Sequence, residues 1–241
     1  NVGSMAAIEV AQTLFDNGIK LRHPLKVVMF TNEEGGHVGS RAMSGRVTPE
    51  MLNLKSQMGL SHGEGIEKLG GNPSRLTKAL YNKGDIFAFI ELHIEQGDNL
   101  FAEGLDIGVV SGIVGIRRWL VEINGEANHA GTTRMASRKD ALVTAAEYIL
   151  AVNKVGNELE GNQVATVGRI SPYPDAINVV PGKVETTLEI RDLSAEKIQK
   201  VFDEIKNKAM AIEKHYGTEI IFNEIQQNAK PVLTHPAIQE A

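Results

Sequence analysis

Cysteine is absent from this chain of 241 residues, and that one absence excludes disulfide staples, thiolate nucleophiles and cysteine-ligated zinc or iron–sulfur centres together. Any bound metal must rely on histidine and carboxylates. Long apolar runs are missing too: none approaches the roughly 18 residues of a membrane span, and the first residues do not form an export signal. A cytoplasmic location is expected, with no membrane partner. Basic residues are outnumbered, 25 Lys and Arg against 30 Asp and Glu for a net charge of −5, which argues against nucleic acid because that polyanion is bound by basic surfaces. A small molecule is the better partner. What remains is an ordinary globular composition, 42% hydrophobic and 23% charged, with ample core for one large or two smaller domains.

The pattern along the chain changes character near its middle. Ser4 to Asp16 reads as a helix, with Met5, Ile8, Leu14 and Phe15 near helical spacing and Asn17-Gly18 as its stop. Leu25 to Phe30 is a continuous apolar run of the kind that forms a buried strand in an α/β sheet. Residues 48–82 read as a polar, glycine-rich surface excursion with short helices over Pro49 to Lys55 and Gly65 to Leu69. A second buried strand is expected at Ile86 to His93. Beyond Gly112 and Gly115 the expected order is strand Ile116 to Ile123, helix Arg138 to Val155, strand Gln163 to Ile170, strand Lys183 to Arg191, helix Ala195 to Tyr216 and strand Thr218 to Glu224. That is βαββαβ, the ferredoxin-like pattern. The fold class is therefore an α/β domain with a mixed sheet and flanking helices, partial as given, followed by an α+β ferredoxin-like domain. The divisions fall at 1–112, 113–227 and 228–241, the last as a return into the first domain.

Chemistry gathers where the two early strands end. Val27 to Phe30 runs through Thr31 and Asn32 into Glu33-Glu34-Gly35, and Ile86 to Ile90 runs into Glu91-Leu92-His93-Ile94-Glu95-Gln96-Gly97. Neighbouring strand residues point to opposite faces, so two adjacent acids converge only where a turn breaks the strand, which Gly35 and Gly36 permit. Two anions this close repel unless a cation holds one while the other acts as a base. The alternative is an exposed acidic turn. Imidazole and carboxylate beside one another suit a divalent metal, and open α/β sheets bind ligands at the carboxyl ends of strands.

Four segments together, Phe30 to Gly35, Glu91 to Gly97, Asn128-His129-Ala130-Gly131-Thr132-Thr133 and Asn178-Val179-Val180-Pro181, resemble the hydantoinase/carbamoylase family of amidohydrolases, within the larger dinuclear metallopeptidase superfamily. The resemblance spans nearly the whole chain in the right order. It implies hydrolysis of a linear ureido C–N bond in an N-carbamoyl amino acid or allantoate, with two divalent ions, zinc first and manganese, cobalt or nickel as alternatives. It implies Glu33 as general base, Glu34 and His93 as metal ligands, His129 as stabiliser of the oxyanion, and Gln96, Asn178 and Arg191 as substrate ligands, the last two for a carboxylate. The second domain becomes a lid through which two copies pair as a homodimer. For His129 the alternative is a turn histidine, and for Arg191 a pair with Glu189 or Asp192. Arg117 and Arg118 receive no role.

The family's upstream His-x-Asp, bridging Asp and late glycine-flanked His have no counterpart here, so the sequence reads as an internal fragment, inactive alone. Gly35 to Arg41 is shorter than the family's usual stretch, and His37 within it is a weak candidate ligand. An aminoacylase or dipeptidase-like hydrolase is the alternative within the superfamily. A non-catalytic binding or dimerisation module is the alternative outside it, although RNA binding would need more exposed aromatics than Trp119 and Phe222.

Overall fold

The computed structural model describes residues 1–56, 59–225 and 229–240, and the chain divides into two units, Asn1–Ile107 and Gly108–Ala241. In the first unit, helix α1 (Val2–Asp16) ends at Asn17, whose N–H reaches back to the carbonyls of Thr13 and Phe15. Gly18 follows with φ of 62°, the left-handed turn that glycine takes without strain. Short helices come next: α2 (Val38–Met43), α3 (Pro49–Asn53) and α4 (His62–Lys68). Local chemistry explains their starts. The Thr48 hydroxyl accepts from Met51 N–H with Pro49 in the first turn, and Ser61 and Glu64 form a reciprocal capping box. A 3-10 turn at Pro73–Ala79 and helix α5 (Asn99–Glu103) complete the unit.

The two strands expected in this unit are not formed. Neither residues 25–30 nor residues 86–93 belong to a ladder, and Ile90 is 81% exposed. A strand exists only when a neighbour supplies its N–H and C=O partners. No such neighbour is found among the described residues, so the apolar runs stay irregular.

The second unit realises its expected pattern. Strands β1 (Gly112–Ile113), β2 (Gly115–Asn124) and β3 (Asn128–His129) are followed by helix α6 (Ala141–Glu158), strands β4 (Val164–Thr166), β5 (Ile170–Tyr173), β6 (Val179–Val180) and β7 (Lys183–Asp192), helix α7 (Ala195–Tyr216) and strand β8 (Glu219–Glu224). The main sheet is antiparallel, ordered β4-β7-β2-β8 with β5 also on β7. Its order is that of a split βαβ unit, the expected second strand of this unit, 163–170, being divided into β4 and β5. Helix α6 starts at Ala141, where Asp140 accepts from the N–H groups of Leu142 and Val143, three residues later than its pattern suggests. Helix α7 is capped by Ser194 and closed by Gly217 at φ of 63°.

Alternation decides which face is buried. Trp119, Val121 and Ile123 of β2 and Val184, Leu188 and Ile190 of β7 join Tyr148 of α6 and Ile198, Val201 and Ile205 of α7 in one core. Each fully buried Val, Leu or Ile contributes about 1.5–3 kcal/mol. Trp119 stacks on Phe202 with ring centroids 4.3 Å apart. The other face is charged, with Arg118 and Glu122 on β2 and Lys183, Glu185, Glu189 and Arg191 on β7. Chain end and chain middle also meet: β9 (Val232–Leu233) pairs with β1, Ala229 bridges Ile116, and helix α8 (Pro236–Gln239) follows. The described residues after 228 thus pack within the second unit, and the division falls at Ile107 instead of after residue 112. Residues 226–228, where two expected boundaries meet, lie outside the described residues.

Candidate active site

Glu33 and Glu34 stand on a turn, not at a strand end. Asn32, with φ of 54°, occupies the left-handed region that asparagine tolerates better than most residues. Its carbonyl accepts from Gly36 and His37 N–H at 3.1 and 2.8 Å, closing the loop around the acids. Space beside both glycines is tight: a Cβ on Gly35 would lie 2.4 Å from Asn32 Oδ1, and one on Gly36 would lie 2.6 Å from His62 Cε1, so either side chain would have to move aside. The turn leaves both carboxylates exposed. Glu33 Oε1 lies 3.9 Å from His37 Nδ1.

His93 and Gln96 sit in an irregular segment of the same unit. His93 Nδ1 lies 2.6 Å from the carbonyl oxygen of Ile94; a carbonyl only accepts, so Nδ1 carries the proton and Nε2 presents its lone pair. That is the tautomer a metal-ligating imidazole uses, its other nitrogen held by a backbone carbonyl. Gln96 has φ of 54°, and its neighbour Glu95 is committed to capping α5 by accepting from Leu100 N–H at 3.0 Å. The donor set does not close, however. Among the described residues no three His, Asp or Glu side chains come together in a group able to hold a metal ion.

The second unit carries the remaining groups. β3 pairs with β6, setting His129 opposite Val179, and Ala130 N–H donates to the carbonyl of Asn178 at 2.9 Å. His129 and Asn178 are therefore adjacent. Gly131 N–H donates to His129 Nδ1 at 3.1 Å, so in the neutral ring Nε2 carries the proton and is a donor. The turn is braced by Arg138, whose guanidinium donates to the carbonyls of Thr133 and Ala130 at 3.1 and 2.7 Å.

Arg191 is elsewhere, although it and Asn178 are expected to bind one carboxylate. Asn178 lies by the Lys183 end of β7, whereas Arg191 stands opposite Ile116, near the other end. Eight residues of strand separate Lys183 from Arg191, roughly 26 Å at about 3.3 Å per residue. A small carboxylate cannot touch both within one copy. The Arg191 guanidinium is already paired, its Nε donating to Glu189 Oε1 at 2.5 Å, and Glu189 Oε2 accepts from Arg118 Nε at 2.5 Å. Burial works against the Glu189 charge, but Arg191 and Arg118 outweigh it and hold the carboxyl below the usual range.

Three further participants act here, and sequence names only one of their contacts, the pair of Glu189 with Arg191. His62, whose Nδ1 is buried without a partner among the described residues, sits against Gly36 but hides inside a capping motif. Arg138 acts through the carbonyls of Thr133 and Ala130 and Glu189 also through Arg118, partners that only the fold reveals. Arg117, left without a role, makes a two-pronged pair with Glu224 at 2.8 and 2.9 Å and lies over the Trp119 ring.

These parts occur in the order of one family. The chain belongs to the peptidase family M20/M25/M40, whose profile it matches over residues 2–240. Among individual proteins it is similar to the N-carbamoyl-L-amino acid amidohydrolase of Geobacillus stearothermophilus, at 38% identity over 245 residues covering 100% of this chain and 59% of the relative. It is 34% identical over 194 residues to the allantoate amidohydrolase of Escherichia coli, covering 78% of this chain and 47% of that protein. The crystal structure of a hydantoinase/carbamoylase family amidase from Burkholderia multivorans superposes with a TM-score of 0.84 at 33% identity, over 99% of this chain and 58% of that one. The chain thus spans under two thirds of the length of each of these relatives.

Proposed function

We propose that the protein hydrolyses the ureido C–N bond of an N-carbamoyl amino acid or of allantoate, releasing ammonia and carbon dioxide. The observation that carries this reading is the opposite setting of two histidines. His93 offers a lone pair at Nε2, suited to a metal, while His129 offers a proton at Nε2, suited to the carbonyl oxygen of a substrate. Glu33 takes a proton from the attacking water and delivers it to the leaving nitrogen. Gln96 contacts the ureido group, Asn178 acts beside His129, and Arg191 grips the substrate carboxylate.

Two divalent ions belong to this reading, zinc first with manganese, cobalt or nickel as alternatives. Glu34 and His93 would supply part of their donor set. Bound ions lower the pKa of water and polarise the carbonyl. A homodimer formed through the second unit, the lid of this reading, also belongs to it, because Asn178 and Arg191 lie towards opposite ends of β7 in one copy and reach one small substrate only if two copies contribute. The related names in the family favour a ureido substrate over the acyl or peptide substrate of an aminoacylase.

The test is Glu33→Gln in the native full-length protein, assayed for ammonia release from N-carbamoyl amino acids. Turnover should fall by about 10²–10⁴-fold with the fold intact. Unchanged turnover would remove Glu33 from the mechanism.

A further inference from the structure

On the charged face of the second unit's sheet, one carboxylate serves two guanidinium groups. Residues 189 and 191 share a face because a strand repeats every second residue, and Arg118 stands directly opposite Glu189 in the β2–β7 register. Glu189 gives Oε1 to Arg191 and Oε2 to Arg118, each at 2.5 Å. Its side chain is 25% exposed and that of Arg191 41%.

We propose that Glu189 is a positioning residue for substrate recognition: by occupying Nε of Arg191 it turns the two terminal amino groups outward as an end-on fork for the substrate carboxylate. This rests on the reading of Arg191 as the carboxylate ligand. Among the described residues neither terminal amino group of Arg191 makes another hydrogen bond. An arginine loose on its long stem loses rotamer freedom when it grips an anion, whereas one already held loses less. The opposing effect is electrostatic, since Glu189 also repels the incoming carboxylate. Solvent reaches both groups and Arg118 offsets part of that repulsion, so ordering prevails.

Steady-state kinetics on the metal-loaded, full-length protein with an N-carbamoyl amino acid test this. For Glu189→Gln we expect KM to rise about tenfold, the loss of one well-placed charge-assisted contact, with kcat changed less than about twofold. Glu189→Asp, which keeps the charge, should restore KM to within about threefold of the parent, and Arg118→Gln, which frees one oxygen of Glu189, should raise it by about threefold. In NMR spectra the slowly exchanging Nε–H of Arg191 should vanish in Glu189→Gln. If Glu189→Gln fails to fold, Arg118→Gln alone decides. An unchanged or lower KM in the folded variants, while Arg191→Met raises it tenfold or more, overturns the positioning role and spares the reading of Arg191. An unchanged KM in Arg191→Met overturns that reading and the positioning role with it.

Discussion

Residues 86–93 and strand β2 are both apolar and β-prone, yet one has no ladder and the other is a central strand bonded to β7 and β8. The difference is not in the segments. β2 finds β7 and β8 within its own unit, and its alternate residues are sealed by α6 and α7. The earlier run finds no neighbour among the described residues and leaves Phe87 and Ile90 exposed. Apolar strand-like sequence is a condition for a buried strand, and pairing is a second one.

The contrast is broken most directly by truncating side chains in both units. Leu188→Ala, at a fully buried site, should cost about 2–5 kcal/mol in denaturant unfolding, while Phe101→Ala, 87% exposed, should stay within about 0.5 kcal/mol. Equal losses would mean that the first unit packs differently from the structure described. A subtler effect concerns acid. The Glu189 carboxyl is held low in the folded state by Arg191 and Arg118, so its contribution is full above its unfolded value, near 4.5, and is lost as pH falls through the folded one. Thermal melts of Glu189→Gln should therefore show a flatter acid limb below about pH 4.5. The smallest change is expected at Tyr148, whose hydroxyl is buried without a partner among the described residues and whose phenol is pushed up by burial. Tyr148→Phe should leave stability unchanged or raise it by up to about 1 kcal/mol, because it removes an unsatisfied polar group. A loss of 2 kcal/mol or more would reveal a bonded partner.

Much of the second unit was legible in advance. The apolar stripe of α7 with Ser194 before it, the alternation of β2 and β7, and the Asn128–Thr133 turn are local patterns, each contained within one element. The single expected strand 163–170 failed in a particular way: it divides, with the residues between β4 and β5 leaving the ladder while Gly168 N–H donates to the Thr187 hydroxyl. The acids were found, but their setting was not, since Asn32 and the two glycines make a closed turn where a strand end was expected. The alternative for Arg191 was correct in naming Glu189. Its separation from Asn178 was not foreseen, because sequence distance does not reveal how far a ten-residue strand carries a side chain.

By itself the sequence determined the long helices α1 and α7 with the Asn17-Gly18 stop of the first, the glycine break after Glu33 and Glu34, the absence of cysteine chemistry and the order of motifs that marks the family. All of these depend on interactions among residues a few positions apart, or on composition. Only the tertiary structure decided which apolar runs become strands, and that Glu189 joins Arg191 to Arg118 from 71 residues away. Ladders and ion pairs between distant residues form only after the chain has folded, so no local pattern encodes them singly. The pair Glu33 and Glu34 belongs to both accounts: its chemistry is written in two letters, and its presentation depends on Asn32 closing the turn from behind.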